Sequence, residues 1–477
     1  MKSKLHSGWR SKIGGVATGG IDRFVAGNII LPFYDLVRGT SRYRFGKVLD
    51  KTQWLSASQI ETIQLRNLRK LLNHAYYSVP FYREAFKRSN IRPSDIKVKA
   101  DLCKLPILTK EDLRKNFHAM VSTKYPRKKL VRYRSGGTGS QVSFYITKEQ
   151  MSWEIAAEFR AYGWAGYERG DRCMMLWGSP VDMSRQVGFV RSLANDIERV
   201  LLLNTYVLSD EVLRYYSHLM EKFKPEIIRG YASSVFMLAR FLSSNAVKFR
   251  SPRAVITSAE TLLPHYRKTI ETSFACQVFD YYGSREIGGI AAECEEHSGY
   301  HMSAENVVTE FVRENEPVEE EPGLVLVTSL RNYGMPLIRY AIGDVGKPSS
   351  ENCSCGRGLP LISSIEGRVS QFMAVRDKET GSVVPVSTAA PGLFSQILMK
   401  VPVENYRIIQ ENLDKIVIEA VKGKGYSQSH SDFIVNSVRK YLKSNISVEF
   451  DFVDEIPPLP SGKRSVFVSR INAFEKS

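Results

Sequence analysis

The sequence predicts an α/β protein, with a large N-terminal α/β domain of layered sheets and a small C-terminal α+β domain. Three observations carry this. Four short apolar runs read as strands buried on both faces: "CMMLW" (173–177), "AVITS" (254–258), "VFDYY" (278–282) and "LVLVTSL" (324–330). Helical stretches separate several of them, the signature of helices layered on a sheet. The last hundred residues differ: a hairpin, an amphipathic helix and an alternating strand. A chain of 477 residues exceeds one ordinary core, which agrees with more than one domain.

In chain order, the first segment is basic. Lys2, Lys4, Arg10 and Lys12 all precede the first acidic residue, Asp22. The run "FVAGNIILPFY" that follows carries no charge. It is shorter than the ~20 residues a membrane span needs and lies too far in for a secretion signal. It fits two placements: on an anionic membrane surface, or packed on the body of the protein. Next, Ser58-Gln-Ile-Glu61 reads as a capping box. It would open a helix with Ile60, Ile63, Leu68, Leu71, Leu72 and Ala75 on one face.

"YRSGGTGSQ" (133–141) packs three glycines among hydroxyl residues. Such a stretch fits a phosphate cradle of inward-turned N–H groups, or a plain turn. It matches neither common glycine-rich nucleotide fingerprint. Trp177 leads into "GSP", Ser258 into "AETL" and Tyr282 into "GSREIGG". Small polar loops after buried strands suggest one shared ligand site, because ligands of open α/β sheets sit beyond the strands' carboxyl ends.

At the C-terminal end, "YRIIQENLDKIVIEAV" reads as a hairpin turning within 411–414. "SDFIVNSVRKYLK" places Ile434, Val438, Tyr441 and Leu442 on one helical face, and "ISVEFDFV" alternates as a half-buried strand does. The division expected is 1–40 as a basic, membrane-surface or packed segment, 41–367 as the large domain and 368–477 as the small one.

Composition narrows the function. The chain is 43% hydrophobic with net charge +17, a balance that favours anionic partners. No zinc-finger spacing or basic heptad region is present, which argues against nucleic acid. Six cysteines in this length make no disulfide framework and fit a reducing cytoplasm; Cys103, Cys173 and Cys276 read as small core residues.

Five segments then stand in order: "SGGTGS", "SAE", "YYGSRE", "RYAIGD" and "IEGR", with "LPSGK" near the end. Together they resemble the adenylate-forming superfamily of acyl-CoA synthetases, nonribosomal adenylation domains and luciferases. The resemblance is nearer to the phenylacetate–CoA ligase and CapK branch, associated with capsule and other polysaccharide biosynthesis. "LPILTKEDLRKN", "KPEIIRGYASS", "CSCGRGLPLI" and "MPLIRYAIGD" support it, from about residue 30 onward.

The resemblance implies an ATP- and Mg²⁺-dependent ligase. It would join a small-molecule carboxylate to the α-phosphate of ATP, then pass the acyl group to CoA or to an amine or hydroxyl acceptor on a polysaccharide precursor. Ser135, Gly136, Thr138 and Gly139 would hold phosphate. Glu286 would hold Mg²⁺, which wants carboxylate oxygen. Asp344 would take both ribose hydroxyls, and Arg368 would reach ribose or phosphate. Ser258, Ala259 and Glu260, with Tyr281, Tyr282, Gly283 and Ser284, would line the adenine slot. Trp177, Tyr231 and Ser233 would line the acyl pocket. Lys463, on a flexible Pro-Ser-Gly lead, would bridge carboxylate and α-phosphate. The resemblance also implies that the small domain swings about a hinge after "GR".

Some positions depart from the family pattern. Gly137 stands for a hydroxyl residue, Ser140 for a Lys, Arg285 for Thr or Ser, and Gln371 lies in a hinge (Val369-Ser370-Gln371) where an acid is usual. These departures motivate a rival reading, a catalytically impaired nucleotide-binding member acting in assembly or regulation. Finally, Cys294, Cys353 and Cys355 with His301 resemble the branch's structural Zn²⁺ site, with His297 the alternative imidazole. The location expected is cytoplasmic, peripheral at the inner membrane face.

Overall fold

The computed structural model describes residues 22–135, 142–177, 195–205, 208–368, 372–376, 383–387, 397–398, 400–442, 444–457 and 466–471. Its centre is a twelve-stranded sheet. The strands in chain order are β1 (Leu130–Ser135), β2 (Val142–Thr147), β3 (Cys173–Leu176), β4 (Val200–Leu203), β5 (Ile227–Tyr231), β6 (Ala254–Ser258), β7 (Gln277–Ser284), β8 (Gly288–Glu293), β9 (Tyr300–Met302), β10 (Val307–Arg313), β11 (Glu316–Pro317), β12 (Gly323–Ser329), β13 (Tyr340–Ser349) and β14 (Leu361–Arg368). β1 and β2 form a separate antiparallel pair, and the sheet order is β11-β10-β12-β13-β14-β9-β8-β7-β6-β5-β3-β4.

The sheet has two wings. β4, β3, β5, β6 and β7 run parallel. From β7 outward to β11 every pairing is antiparallel. "LVLVTSL" lies in the antiparallel wing, although it reads like a parallel-sheet strand. The reason is burial: β12 is covered on both faces, and its residues Val325 and Val327, with Leu330 just after it, join one core with Leu68, Leu71 and Leu72 of the helix Ala57–Ser78. Two covered faces produce the same apolar run in either orientation.

That helix begins two residues before the position expected. Ser56 is its N-cap, and Gln59 closes the capping box. Gln59 replaces the expected Glu61 because its side chain reaches back to the Ser56 N–H at 3.0 Å. Ile60, Leu68, Leu71, Leu72 and Ala75 are buried, while Ile63 is half-buried. Cys173 is buried, and Cys103 and Cys276 are half-buried free thiols.

The C-terminal part builds its own sheet. β15 (Phe372–Arg376) pairs with β16 (Val383–Ser387). β17 (Val403–Asn412), β18 (Lys415–Lys422), β19 (Ser447–Phe452) and β20 (Phe467–Ser469) form a sheet in the order β19-β18-β17-β20. The hairpin turn falls between Asn412 and Lys415, within the span read from sequence. Helix Gln428–Leu442 buries Ile434, Val438 and Leu442 against that sheet. Gln410, fully buried, donates to and accepts from the Ala374 backbone (2.8 and 3.0 Å), tying β17 to β15. The hinge residues Val369, Ser370 and Gln371 lie outside the described residues.

Candidate active site and a candidate metal centre

The loops singled out from sequence follow the carboxyl ends of parallel strands: Trp177 follows β3, helix Ala232–Ser244 follows β5, and Ala259 follows β6. Two of them meet directly. Ala259 takes φ +68°, the left-handed region that a Cβ disfavours. The next residue, Glu260, accepts the Ser233 backbone N–H at 2.9 Å, at the first turn of helix Ala232–Ser244. A carboxylate there suits the helix dipole. Ser258 donates to the Tyr281 carbonyl at 2.8 Å, joining β6 to β7. Trp177 and Tyr231 have ring centroids 4.3 Å apart beside this junction. Trp177, Tyr231 and Ser233, expected in the acyl pocket, therefore adjoin Ser258, Ala259 and Glu260, expected in the adenine slot.

β7 runs on to Ser284 and β8 starts at Gly288, so the "GSREIGG" stretch is a tight turn between paired strands. A Cβ on Gly283 would lie 2.5 Å from the Gly288 carbonyl oxygen, so only glycine permits the pairing. Strand alternation separates the two tyrosines. The Tyr282 hydroxyl donates to Asp344 Oδ2 at 3.0 Å. Tyr281 turns to the opposite face and packs on Tyr162 (centroids 5.5 Å). Tyr282 thus meets the carboxylate expected to bind ribose, whereas Tyr281, expected in the same slot, joins the apolar layer behind the sheet.

Asp344 and Arg368 are cross-strand partners on β13 and β14. Arg368 Nε stands 3.2 Å from Asp344 Oδ1. Asp344 is buried while the Arg368 side chain is 45% exposed. The Asp344 charge raises the Arg368 pKa further, and burial lifts that of Tyr282 well above its ordinary value, so both stay protonated donors. Glu286, buried at the β7–β8 turn, accepts from the Tyr340 hydroxyl at 3.2 Å.

One residue of this cluster was passed over in the sequence. Lys110, within the motif "LPILTKEDLRKN", begins the helix Lys110–Lys115. Burial lowers its pKa, Arg368 lowers it further, and Glu286 and Asp344 raise it, so its ammonium sits in the field of all three. The backbone explains how it gets there. Leu108 donates to the Arg339 carbonyl (3.0 Å) and accepts from Ala341 N–H (2.9 Å), which stitches the segment to β13. Arg339, fully buried, donates to Glu310 (3.0 Å) and to the Leu105 carbonyl (2.5 Å). A lysine just after a Thr N-cap, in a motif already marked, was the available signal.

Ser135 closes β1 opposite Val142, so the two strands bracket the glycine-rich stretch. Gly136, Gly137, Thr138, Gly139 and Ser140 lie outside the described residues, as do Pro460, Ser461, Gly462 and Lys463. Arg285 donates to the Arg134 carbonyl at 3.3 Å, at the root of that stretch. This ties the β7–β8 turn to β1.

The second cluster lies where β8, β9 and the β13–β14 connection meet. The ligand atoms of Cys294, His301, Cys353 and Cys355 all lie within 4.8 Å of one another. Cys294 and Cys353 sulfurs are 3.6 Å apart, and Cys355 Sγ is 3.2 Å from His301 Nε2. No disulfide has that separation. A tetrahedral Zn²⁺ with Zn–S bonds of about 2.3 Å places thiolates about 3.8 Å apart, so the set fits zinc. Gly356 at φ +81° turns the chain behind the Cys-x-Cys pair. His301 Nδ1 faces the Leu359 carbonyl at 3.4 Å, which leaves Nε2 as the ligand atom. Burial pushes the His301 pKa down to about 4, so the ring is neutral, as a ligand must be. Burial would raise the Cys353 pKa, but hydrogen bonds from the Ser298 hydroxyl and its neighbours bring it below the ordinary thiol value. His297 is not part of the set. It faces the Glu293 carboxylate at 3.3 Å and the Phe279 ring.

Residues 388–470 match the family model described as the CapK C-terminal domain. Among curated proteins, the chain is 27% identical over 423 residues to Protein CapK of Staphylococcus aureus, covering 86% of this chain and 89% of the relative. It is 25% identical over 368 residues to the phenylacetate-coenzyme A ligase of Thermus thermophilus, covering 74% and 79%. The chain is a homologue of CapK and of the phenylacetate–CoA ligases, on the adenylate-forming ligase fold. The fold follows from 2-hydroxyisobutyryl-CoA ligase in its postadenylation state with R3-HIB-AMP. It overlays with TM-score 0.71 at 18% identity, over 89% of this chain and 92% of that one. These CapK-type and ligase relatives are similar along most of their length, not in one motif.

Proposed function

We propose that the protein is an ATP- and Mg²⁺-dependent adenylate-forming ligase. A carboxylate oxygen of the substrate attacks the α-phosphorus of ATP and pyrophosphate leaves, giving acyl-AMP. A CoA thiol, or an amine or hydroxyl on a polysaccharide precursor, then attacks the acyl carbon and AMP leaves. The observation that carries this reading is the Asp344 carboxylate, pinned by Tyr282 and Arg368 beside Glu286 and Lys110. A fixed carboxylate suits two ribose hydroxyls, and the cations around it suit polyphosphate.

In this reading Glu286 holds Mg²⁺, which supplies charge neutralisation on the phosphates. Lys110 and Arg368 face phosphate oxygens, and Lys463 bridges the carboxylate and the α-phosphate. Trp177, Tyr231 and Ser233 receive the acyl group, and Ser135 with the glycines after it receives the outer phosphates. Residues 41–367 and 368–477 are the two domains, with the small one swinging about the hinge. The Cys294/His301/Cys353/Cys355 set holds a structural Zn²⁺. A peripheral position at the inner membrane face would bring the enzyme to lipid-carried polysaccharide precursors.

ATP–pyrophosphate exchange across a panel of aryl, acyl and amino acids tests this, with wild type against Lys463→Ala. Exchange with one acid class, lost in the variant, is expected. No exchange with any acid, together with ATP binding untouched by the substitution, would favour a nucleotide-binding member without ligase activity. The Arg285–Arg134 tie, which braces the root of the phosphate loop, is the observation behind that second reading.

A further inference from the structure

The N-terminal helical segment is built inside out. Residues 23–38 are helical throughout, through a short helix Arg23–Val25, a wide turn Ala26–Ile30 and a helix Leu31–Arg38. Its buried residues are Ala26, Gly27 and Asp35, with Ile30, Leu31, Pro32 and Tyr34 half-buried. A Cβ on Gly27 would lie 2.3 Å from the Arg169 carbonyl oxygen, so backbone is pressed on backbone there. Asp35 is buried and receives the Arg42 guanidinium, the Thr40 hydroxyl (2.7 Å) and the Tyr43 N–H (2.8 Å). Arg23 pairs with Glu168 at 2.9 Å.

The outer face is apolar. Thirteen large apolar side chains are exposed among the described residues, and six fall between 24 and 37: Phe24, Val25, Ile29, Phe33, Leu36 and Val37. Phe33, Leu36 and Val37 are each 65% or more exposed. Steps of four from Val25 through Ile29 and Phe33 to Val37 make them one stripe. A water-facing helix would carry that stripe toward the core. Here buried polar bonds hold it outward.

We propose that this stripe docks the protein on an anionic lipid surface. Charge selects this occupant. Lys2, Lys4, Arg10 and Lys12 precede the stripe with no acid before Asp22, and exposed Arg38 and Arg44 follow it. A second copy of a chain with net charge +17 would bring the same sign to the contact, whereas anionic headgroups bring the opposite one. Apolar burial and basic flanks together supply the two signals that stable surface binding needs. The helix lies in the interface rather than across it, because no helix among the described residues is long and apolar enough to span.

The full-length chain and a Phe33→Glu/Leu36→Glu double variant are compared by vesicle co-sedimentation. Pure phosphatidylcholine vesicles and vesicles containing phosphatidylglycerol are the two probes. Wild type should bind the anionic vesicles on the order of tenfold more tightly than the neutral ones. The double variant should bind on the order of a hundredfold more weakly, with its melting temperature unchanged because both positions face solvent. Absence of wild-type binding, or binding that survives the double substitution, would overturn the proposal. So would a dimer in sedimentation velocity that the variant dissociates, or a gain of vesicle binding on deletion of residues 2–21. These last two results would assign the stripe to a second copy or to the chain's own N-terminal segment.

Discussion

One pair of strands, β13 and β14, carries a candidate site at each end. Where β14 finishes, Asp344 faces Arg368 across 3.2 Å, with the arginine side chain 45% exposed, Tyr282 reaching in from β7 and Tyr340 of β13 bonding Glu286. Where the pair is joined, Cys353 and Cys355 turn back on Cys294 and His301. The first end is charged, and its Arg368 side chain is 45% exposed. The second is closed: Cys294 is fully buried and His301 is 1% exposed. The contrast separates two uses of polar groups. An open constellation keeps bonding capacity for a ligand that comes and goes. A closed one suits an internal ion, which would fix the strands around it.

The largest expected effect tests whether a rigid buried frame underlies the charged end. Arg339→Leu removes a buried cation and leaves Glu310 unpaired. A loss of about 3–5 kcal/mol is expected in denaturant unfolding, together with weaker nucleotide binding, because Arg339 also anchors the segment that carries Lys110. Stability unchanged within error would break the claim that a rigid frame underlies that end.

Asp344→Ala sharpens the comparison directly. It should lower ATP–pyrophosphate exchange on the order of a hundredfold while moving the melting temperature by only a degree or two. An equal loss of folding would make Asp344 a structural residue. Cys353→Ser should do the reverse. The protein should lose about one zinc per chain and about 2 kcal/mol of stability, with exchange retained at low temperature. Zinc-free protein of wild-type stability would remove the metal centre altogether.

Beside the cysteine cluster, β7, β8 and β9 share a buried network with a pH signature. Burial first, and then the neighbouring Glu293 charge, push the Asp280 carboxyl up to about 7. Thr257 (2.7 Å) and Tyr300 (3.0 Å), the residue beside His301, donate to Asp280. A raised carboxyl pKa means that the folded state holds the proton more tightly than the unfolded chain. This contribution is therefore full below about 4, the unfolded value, and is lost as pH rises through about 7. Asp280→Asn should flatten that part of the stability curve. An unaltered slope would assign it to another group. The smallest effect expected is from Tyr282→Phe. It removes one hydrogen bond to Asp344 and should weaken ATP binding about three- to tenfold without changing kcat.

Much of the site was legible because its residues occur in short ordered motifs that local geometry keeps together. "SAE", "YYGSRE" and "RYAIGD" each end or begin on a strand of one sheet, so their order along the chain becomes order across the sheet. The Cys-x-Cys spacing likewise survives folding as a turn around Gly356. What could not be read was facing. Tyr281 and Tyr282 look alike in sequence, and strand alternation alone sends one to Asp344 and the other to Tyr162. The resemblance alone favours His301 over His297, and the β9 pairing with β8 and β14 is what physically brings His301 to the thiols. Lys110 was missed because its neighbours in the site lie far along the chain.

By itself, then, the sequence determined the α/β layering, the small C-terminal sheet and helix, and the inventory of acids, cations and thiols, all of which follow from local periodicity and motif. Tertiary structure decided what they face. It put β12 in an antiparallel wing, brought Glu260 to the helix beginning at Ala232, set Asp344 opposite Arg368, and turned the apolar stripe of residues 24–37 outward. The physical reason is one of range. Periodicity and turns are written within a few residues, whereas pairing register and burial depend on partners tens to hundreds of residues away.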